Sequence, residues 1–303
     1  MSESPPTIPV CYRHPGREAY IRCNRCDRVI CPDCMREASV GFQCPECVNE
    51  GRRSVRPART AFGGGLAGQH GYVTKALIAF NALVMLLSIG TDRGGDAVVG
   101  GSGFGGLLGG STPLTEWGAV IGLAVFPNGT VGGVADGEWY RLVTAMFLHY
   151  GVIHLLLNMY ALWILGRTLE ASLGPARFLA LYLIAGLGGN VAAYLFSAPN
   201  AATAGASTAV FGLFAALFVV GRRLGRDVSQ VVPILVINLV FTITVPGISI
   251  PGHLGGLVVG GLMAFVLAHA PRSRRTLVQV GGGSVLVVVL LVLALFRTAS
   301  LLA

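Results

Sequence analysis

"ATAGASTAVFGLFAALFVVG", residues 202–221, is an apolar run with a serine, Ser207, near its start. Roughly 20 apolar residues in a helix cross the hydrocarbon of a bilayer, so this run has the length of a membrane span. A hydroxyl inside hydrocarbon must find a partner, because leaving it unpaired costs several kcal/mol, on the order of 2–7. The groups available to Ser207 decide both the architecture of the chain and its chemistry.

The whole chain resembles that run in composition. Its 303 residues are 53% hydrophobic and only 12% charged, with a mean hydropathy of +0.68. Such a balance places most of the chain in a bilayer. The net charge of +8 rests on arginines, with Lys75 the single lysine. These arginines sit at the ends of apolar runs, where they set topology and meet lipid headgroups, so no nucleic-acid partner is expected. No basic-then-apolar leader opens the chain, and the first long apolar run begins near Val73.

Three regions follow: a Cys-rich module at 1–50, a basic and then glycine-rich linker at 51–72, and a membrane domain at 73–297. The membrane domain contains seven apolar segments, at 74–91, 145–166, 177–197, 205–221, 231–246, 252–270 and 278–296. The first connection, about 50 residues long and including "GGSGFGGLLGGSTP" (100–113), is unusually long, which marks it as functional or disordered. Arg52, Arg53, Arg56 and Arg59 precede the first span; Arg167 and Arg177 flank the turn between the second and third. Arg222, Arg223 and Arg226 follow the fourth, and Arg272, Arg274 and Arg275 the sixth. All lie on one side if the N-terminus is cytoplasmic, which leaves the acidic first loop outside. The expected location is a plasma (cytoplasmic) membrane, spanned several times.

All seven cysteines lie between Cys11 and Cys47. They pair as Cys11-x-x-His14, Cys23-x-x-Cys26, Cys31-x-x-Cys34 and Cys44-x-x-Cys47. His14 accounts for the odd cysteine, and eight ligands make two closed tetrahedral sites suited to structural Zn²⁺. The cytosol keeps such thiols reduced and available to metal. A module this small cannot bury enough apolar surface without that support. The spacing resembles B-box-type zinc fingers, in which ligand pairs alternate between metals. That resemblance implies Cys11, His14, Cys31 and Cys34 on one ion and Cys23, Cys26, Cys44 and Cys47 on the other, and a protein partner for the module.

Polar residues inside membrane spans are functional candidates. The second run, "FLHYGVIHLLLNMYALWILGR" (147–167), holds His149, His154 and Asn158, and the sixth, "GHLGGLVVGGLMAFVLAHAPR" (252–272), holds His253. Counting from the basic ends at ~1.5 Å per residue places His154, Ser207 and His253 all in the outer half of the membrane. His154 and Asn158, four apart, share one helix face. Gly252, Gly256 and Gly260 form a stripe that lets the sixth helix approach a neighbour closely enough to bring His253 to Ser207. Serine beside histidine suggests a nucleophile and its general base, working as a dyad because no Asp or Glu lies at that depth. His154 and Asn158, with the Ser207 amide, are candidate donors to an oxyanion. His149 reads as a structural histidine near the outer interface. No cofactor is needed for this chemistry.

These residues resemble the rhomboid intramembrane serine proteases: H-x-x-x-N (His154, Asn158), G-x-S (Gly205 to Ser207) and G-H-x-x-G-x-x-x-G (Gly252 to Gly260) occur in that order. "EWYRLVTAMFLH" with Arg141, and "LGRTLEASLGPARFLALYL" with Glu170, are similar too. The resemblance covers about residues 72–297. It implies an all-α polytopic membrane protein, a six-helix bundle here followed by a seventh C-terminal span. It implies Ser207 as nucleophile, His253 as base and acid, and His154 and Asn158 as oxyanion donors. Phe211 falls where the family sets an aromatic against the base, and Arg141, Gly205, Gly256 and Gly260 take supporting places. The substrates implied are single-pass membrane proteins, cut in or near their transmembrane segments within the bilayer. A second reading is an inactive rhomboid-like protein that binds such segments uncut. Where the family more commonly has glycine after the serine, this chain has Thr208, whose side chain could crowd the oxyanion pocket or bond back to the preceding turn.

Overall fold

The structure is a computed structural model that describes residues 8–54, 58–92, 95, 98, 110–126 and 129–303. Arg56 and the glycine-rich stretch 100–109 lie outside the described residues. The chain forms two units, Met1–Ala58 and Arg59–Ala303.

In the first unit, two short antiparallel hairpins pair β1 (Ile21–Arg22) with β2 (Val29–Ile30) and β3 (Arg36–Glu37) with β4 (Phe42–Gln43), and helix α1 (Pro45–Ser54) follows. The turn of the first hairpin carries Cys23 and Cys26, the turn after β2 carries Cys31 and Cys34, and Cys44 follows β4 with Cys47 in the first turn of α1. The buried residues here are the cysteines other than Cys26, together with Ala19 and Ile30. Sulfur takes the place of an apolar core. Arg17 pairs with Asp33, and Arg28 with Glu46, on the surface.

The second unit is helical, and each of the seven apolar segments carries a helix: α2 (Tyr72–Thr91), α5 (Val152–Leu173), α6 (Pro175–Phe196), α7 (Ser207–Arg223), α8 (Val231–Thr244), α9 (Ile250–His269) and α10 (Arg275–Leu302). The first connection adds α3 (Pro113–Gly118), the two-residue strands β5 (Ala124–Val125) and β6 (Val131–Gly132), and the single turn α4 (Arg141–Thr144). Five helices (α2, α5, α6, α9 and α10) are long and apolar enough to cross a membrane, whereas α7 has 17 residues and α8 has 14. The second span starts later than the sequence pattern predicts, at Val152 rather than 145. A short 3₁₀ turn at Ala145–Phe147 and a left-handed Gly151 (φ 86) interrupt an otherwise apolar stretch that shows no break in hydropathy.

The expected linker divides. Residues to Ser54 extend α1, and from Arg59 the chain belongs to the bundle, with Phe62 buried at 4% exposure and its carbonyl accepting from Gln279 Nε2. Arg59 donates to the Gly63 carbonyl, while the side chains of Arg177 and Arg275 lie against Gly63 itself. Three of the basic connections therefore meet at one end of the bundle. Next to them, the buried Glu170 carboxylate of α5 accepts from the Val73 and Thr74 amides at 3.0 and 2.8 Å and from the Thr74 hydroxyl at 2.7 Å. It satisfies the open N–H groups that begin α2.

Candidate active site

Ser207 is the first residue of α7, half-buried, where backbone N–H groups have no acceptor within the helix. The chain reaches this point through Gly205, whose φ of +144 is a conformation L side chains rarely adopt. A Cβ there would lie 2.8 Å from the His154 ring and 3.2 Å from Ser207 Oγ, so the missing side chain is what lets these two groups face one hollow.

His253 comes from the first turn of α9, which Ser249 caps by accepting from the Gly252 amide. Below it α9 lies directly on α7. A Cβ at Gly256 would fall 1.9 Å from the Thr208 carbonyl oxygen, and one at Gly260 would fall 2.3 Å from Gly212 Cα. No side chain fits between these backbones, and the contact sets His253 beside Ser207, with Nε2 2.8 Å from Oγ. The imidazole is 6% exposed and stacks on Phe211 with ring centroids 4.1 Å apart at 18°. Its Nδ1 lies 2.7 Å from the hydroxyl of Thr242, a residue of α8 that sequence reasoning did not single out.

The other expected residues gather round this pair. Asn158 is buried beside His154 one turn away, and its amide donates to the His154 carbonyl at 2.9 Å. His149, expected from sequence as a structural histidine near the outer interface, lies beside His154: it is 3% exposed, meets that ring edge-on at 5.1 Å, and its Nε2 accepts from the Ala206 amide at 3.4 Å. The Thr208 side chain packs against Gly189 of α6 and Gly252 of α9, and its buried hydroxyl makes neither the back-bond nor any other hydrogen bond among the described residues. Glycine at 189 makes the room that the extra methyl requires.

Arg141 supports the site from a distance. It is 3% exposed, donates to the Glu116 and Ala119 carbonyls at 2.7 and 3.0 Å, and pairs with Glu138 at 2.7 Å. These bonds fasten the first connection to the segment leading into α5. Burial pushes the Glu138 carboxyl up, but Arg141 and the Gly133 amide outweigh it and hold the group below its usual range.

Comparison with known proteins carries the family resemblance further. A family profile described as the Rhomboid domain matches residues 136–270, which hold Arg141, His154, Asn158, Ser207 and His253. The chain is 36% identical over 147 residues to a protein of Bacillus subtilis named putative rhomboid protease YdcA, a match covering 47% of this chain and 74% of that one. It belongs to the rhomboid family. This rhomboid is also 39% identical over 148 residues to rhomboid protease GluP of the same organism (46% of this chain, 28% of that one). To rhomboid-type serine protease 2 of Emericella nidulans it is 29% identical over 161 residues (49% and 32%). The chain thus spans under a third of the length of these last two proteins. Relatives with these names support a membrane-embedded protease.

A second centre lies in the N-terminal unit. Cys11, His14, Cys31 and Cys34 form one cluster and Cys23, Cys26, Cys44 and Cys47 the other, with the ligand atoms of each within 4.8 Å of one another. His14 Nδ1 stands 3.3, 3.5 and 3.8 Å from the three sulfurs of its set, and Cys26 Sγ stands 3.8 Å from Cys44 Sγ. A tetrahedron with metal–sulfur bonds of about 2.3 Å has edges of about 3.8 Å, so both sets fit a four-coordinate metal. Burial raises the Cys11 and Cys23 thiols, but backbone N–H groups aimed at the sulfurs prevail and hold both at about 6. Each cluster therefore contains a thiol predisposed to the thiolate form that binds metal. The clusters also have the alternating pairing that the B-box resemblance implies.

Proposed function

We propose that this rhomboid hydrolyses peptide bonds in or near transmembrane segments of other membrane proteins through a Ser207–His253 dyad. One observation carries the reading: the 2.8 Å contact between His253 Nε2 and Ser207 Oγ at the start of a helix. Ser207 Oγ attacks the scissile carbonyl carbon and its proton passes to His253 Nε2. The resulting oxyanion faces the open N–H groups of the first turn of α7, with His154 and Asn158 as further donors. The tetrahedral intermediate collapses, the amine leaves with the proton from Nε2, and the acyl group remains on Ser207. Water then adds to that ester, giving a proton to His253; Nε2 returns it to Ser207 Oγ as the C–Oγ bond breaks, and the carboxylic acid departs. Helix α8 and the loop to Gly252 form the gate through which a single-pass substrate enters from the bilayer.

The two N-terminal clusters hold structural zinc, because three thiolates and an imidazole in one set, and four thiolates in the other, suit that ion at tetrahedral spacing. The module serves a protein partner. The clustered arginines support a cytoplasmic N-terminus and a site toward the outer face of a plasma membrane.

In the full chain reconstituted in liposomes, Ser207→Ala and His253→Ala each lower cleavage of a transmembrane reporter by on the order of 10⁴ or more, with unchanged melting behaviour. Retained cleavage in either variant refutes the dyad.

A further inference from the structure

We propose that Thr242 is a positioning residue for the base: it holds His253 in the tautomer that can accept the Ser207 proton, and does so only while α8 is seated against α9. The proposal rests on the dyad reading above and adds to it a means by which the gate helix governs reactivity.

The direction of each hydrogen bond follows from what each group has to give. Thr242 Oγ1 lies 2.7 Å from the Asn238 carbonyl, one turn earlier in α8, and a carbonyl oxygen only accepts. We assign the single hydroxyl proton to Asn238, the partner that cannot donate in return. Toward His253 Nδ1, 2.7 Å away, the hydroxyl has only lone pairs to offer, so Nδ1 must carry the ring proton. In a neutral imidazole that leaves Nε2 unprotonated, and Nε2 is the atom 2.8 Å from Ser207 Oγ. The chain of bonds thus runs one way, from Ser207 through His253 and Thr242 to Asn238. When Ser207 gives up its proton the ring becomes an imidazolium, and the same hydroxyl keeps accepting from Nδ1–H. Thr242 stands where a triad would place a carboxylate and supplies its orienting role without its charge.

The position of Thr242 makes this more than local packing. It is the one buried residue of α8, 2% exposed, while Ile234, Val236, Ile237, Val240 and Ile243 all face outward. Helix α9, by contrast, is fixed to α7 backbone against backbone. Displacing α8 to admit a substrate breaks the Thr242 contact and leaves Nδ1 without its acceptor. Seating the helix again restores the tautomer. The base is competent only with the gate in place.

The test uses the full chain in liposomes, with two readouts: cleavage of a transmembrane reporter, and the rate at which a small soluble fluorophosphonate labels Ser207. Thr242→Val keeps the shape and removes the acceptor. It lowers kcat by roughly tenfold with KM within about twofold, and lowers the labelling rate by the same factor, the order expected when a buried N–H loses its acceptor. Thr242→Ser keeps the hydroxyl and restores both rates to within about threefold. Should the valine variant melt early, Thr242→Ala gives the same comparison. Unchanged rates in the valine variant overturn the proposal, and so does a serine variant as slow as valine. Loss of reporter cleavage alone, with labelling intact, also overturns it, because the residue would then act on substrate passage. Full cleavage by Ser207→Ala is a different outcome, the failure of the dyad itself.

Discussion

The N-terminal module and the membrane bundle each draw polar groups into a tight cluster, but over different spans of chain and by different forces. In the module the ligands come in pairs three residues apart, so a local turn builds half of each site before the chain has folded back on itself. In the bundle Ser207 and His253 are 46 residues apart and meet only because α7 and α9 touch backbone to backbone. Outside its cysteines the module buries only Ala19 and Ile30 among the described residues, whereas the bundle has a continuous core running from Phe62 to Ala268. The module's clusters are spaced to take a metal, whereas the bundle's pair is set by packing that leaves no gap between α7 and α9. Each should therefore fail to a different insult.

The largest expected effect is on the module. Stripping metal from the full chain with a strong chelator unfolds the two hairpins entirely, seen as loss of amide protection over residues 10–54, while the helical signal of the bundle persists. Hairpins that stay protected without metal would mean that packing, not ligation, holds the module. Gly256→Leu attacks the other side of the comparison. The new side chain must push the Thr208 carbonyl away, separating His253 from Ser207, and cleavage falls by about 100-fold or more with a lower melting temperature. Wild-type activity in that variant would show that the helix contact does not set the site. Gly205→Ala is milder: it strains a φ of +144 and fills the hollow between His154 and Ser207, so cleavage falls about 10-fold with the fold retained.

The smallest effect concerns the tie between the first connection and α4. The carboxyl of Glu138 is held below its usual range by Arg141, so it stabilises the fold above the ordinary carboxylate range. That contribution is lost as pH falls through the lowered folded value. Glu138→Gln removes about 1 kcal/mol or less at neutral pH and flattens the acid side of the melting curve. A variant whose melting keeps the wild-type dependence on acid would place that titration elsewhere.

The two regions also differ in how far they can be read without coordinates. Pairs of cysteines advertise themselves, and the alternating assignment came through the B-box resemblance. The apolar runs gave the seven helices, yet the start of α5 was misplaced because "AMFL" (145–148) is apolar throughout and its 3₁₀ turn leaves no trace in hydropathy. Thr242 escaped notice for a related reason: it is a threonine among isoleucines and valines and belongs to no motif. His149 was visible as a structural histidine, but its place against the His154 ring was not. Thr208 looked like an intrusion into the oxyanion pocket until its methyl was found against Gly189, a residue nearly twenty positions away.

Composition, the spacing of the cysteine and histidine pairs and the order of short motifs were enough for the class of fold, the family and the two Cys/His clusters, since each of these patterns is local in the chain. Which histidine nitrogen is free, which hydroxyl orients it and which side chain the bundle can accommodate arose only when helices packed. Hydrogen-bond direction depends on the partner a group finds in space, and that partner stands on a different helix.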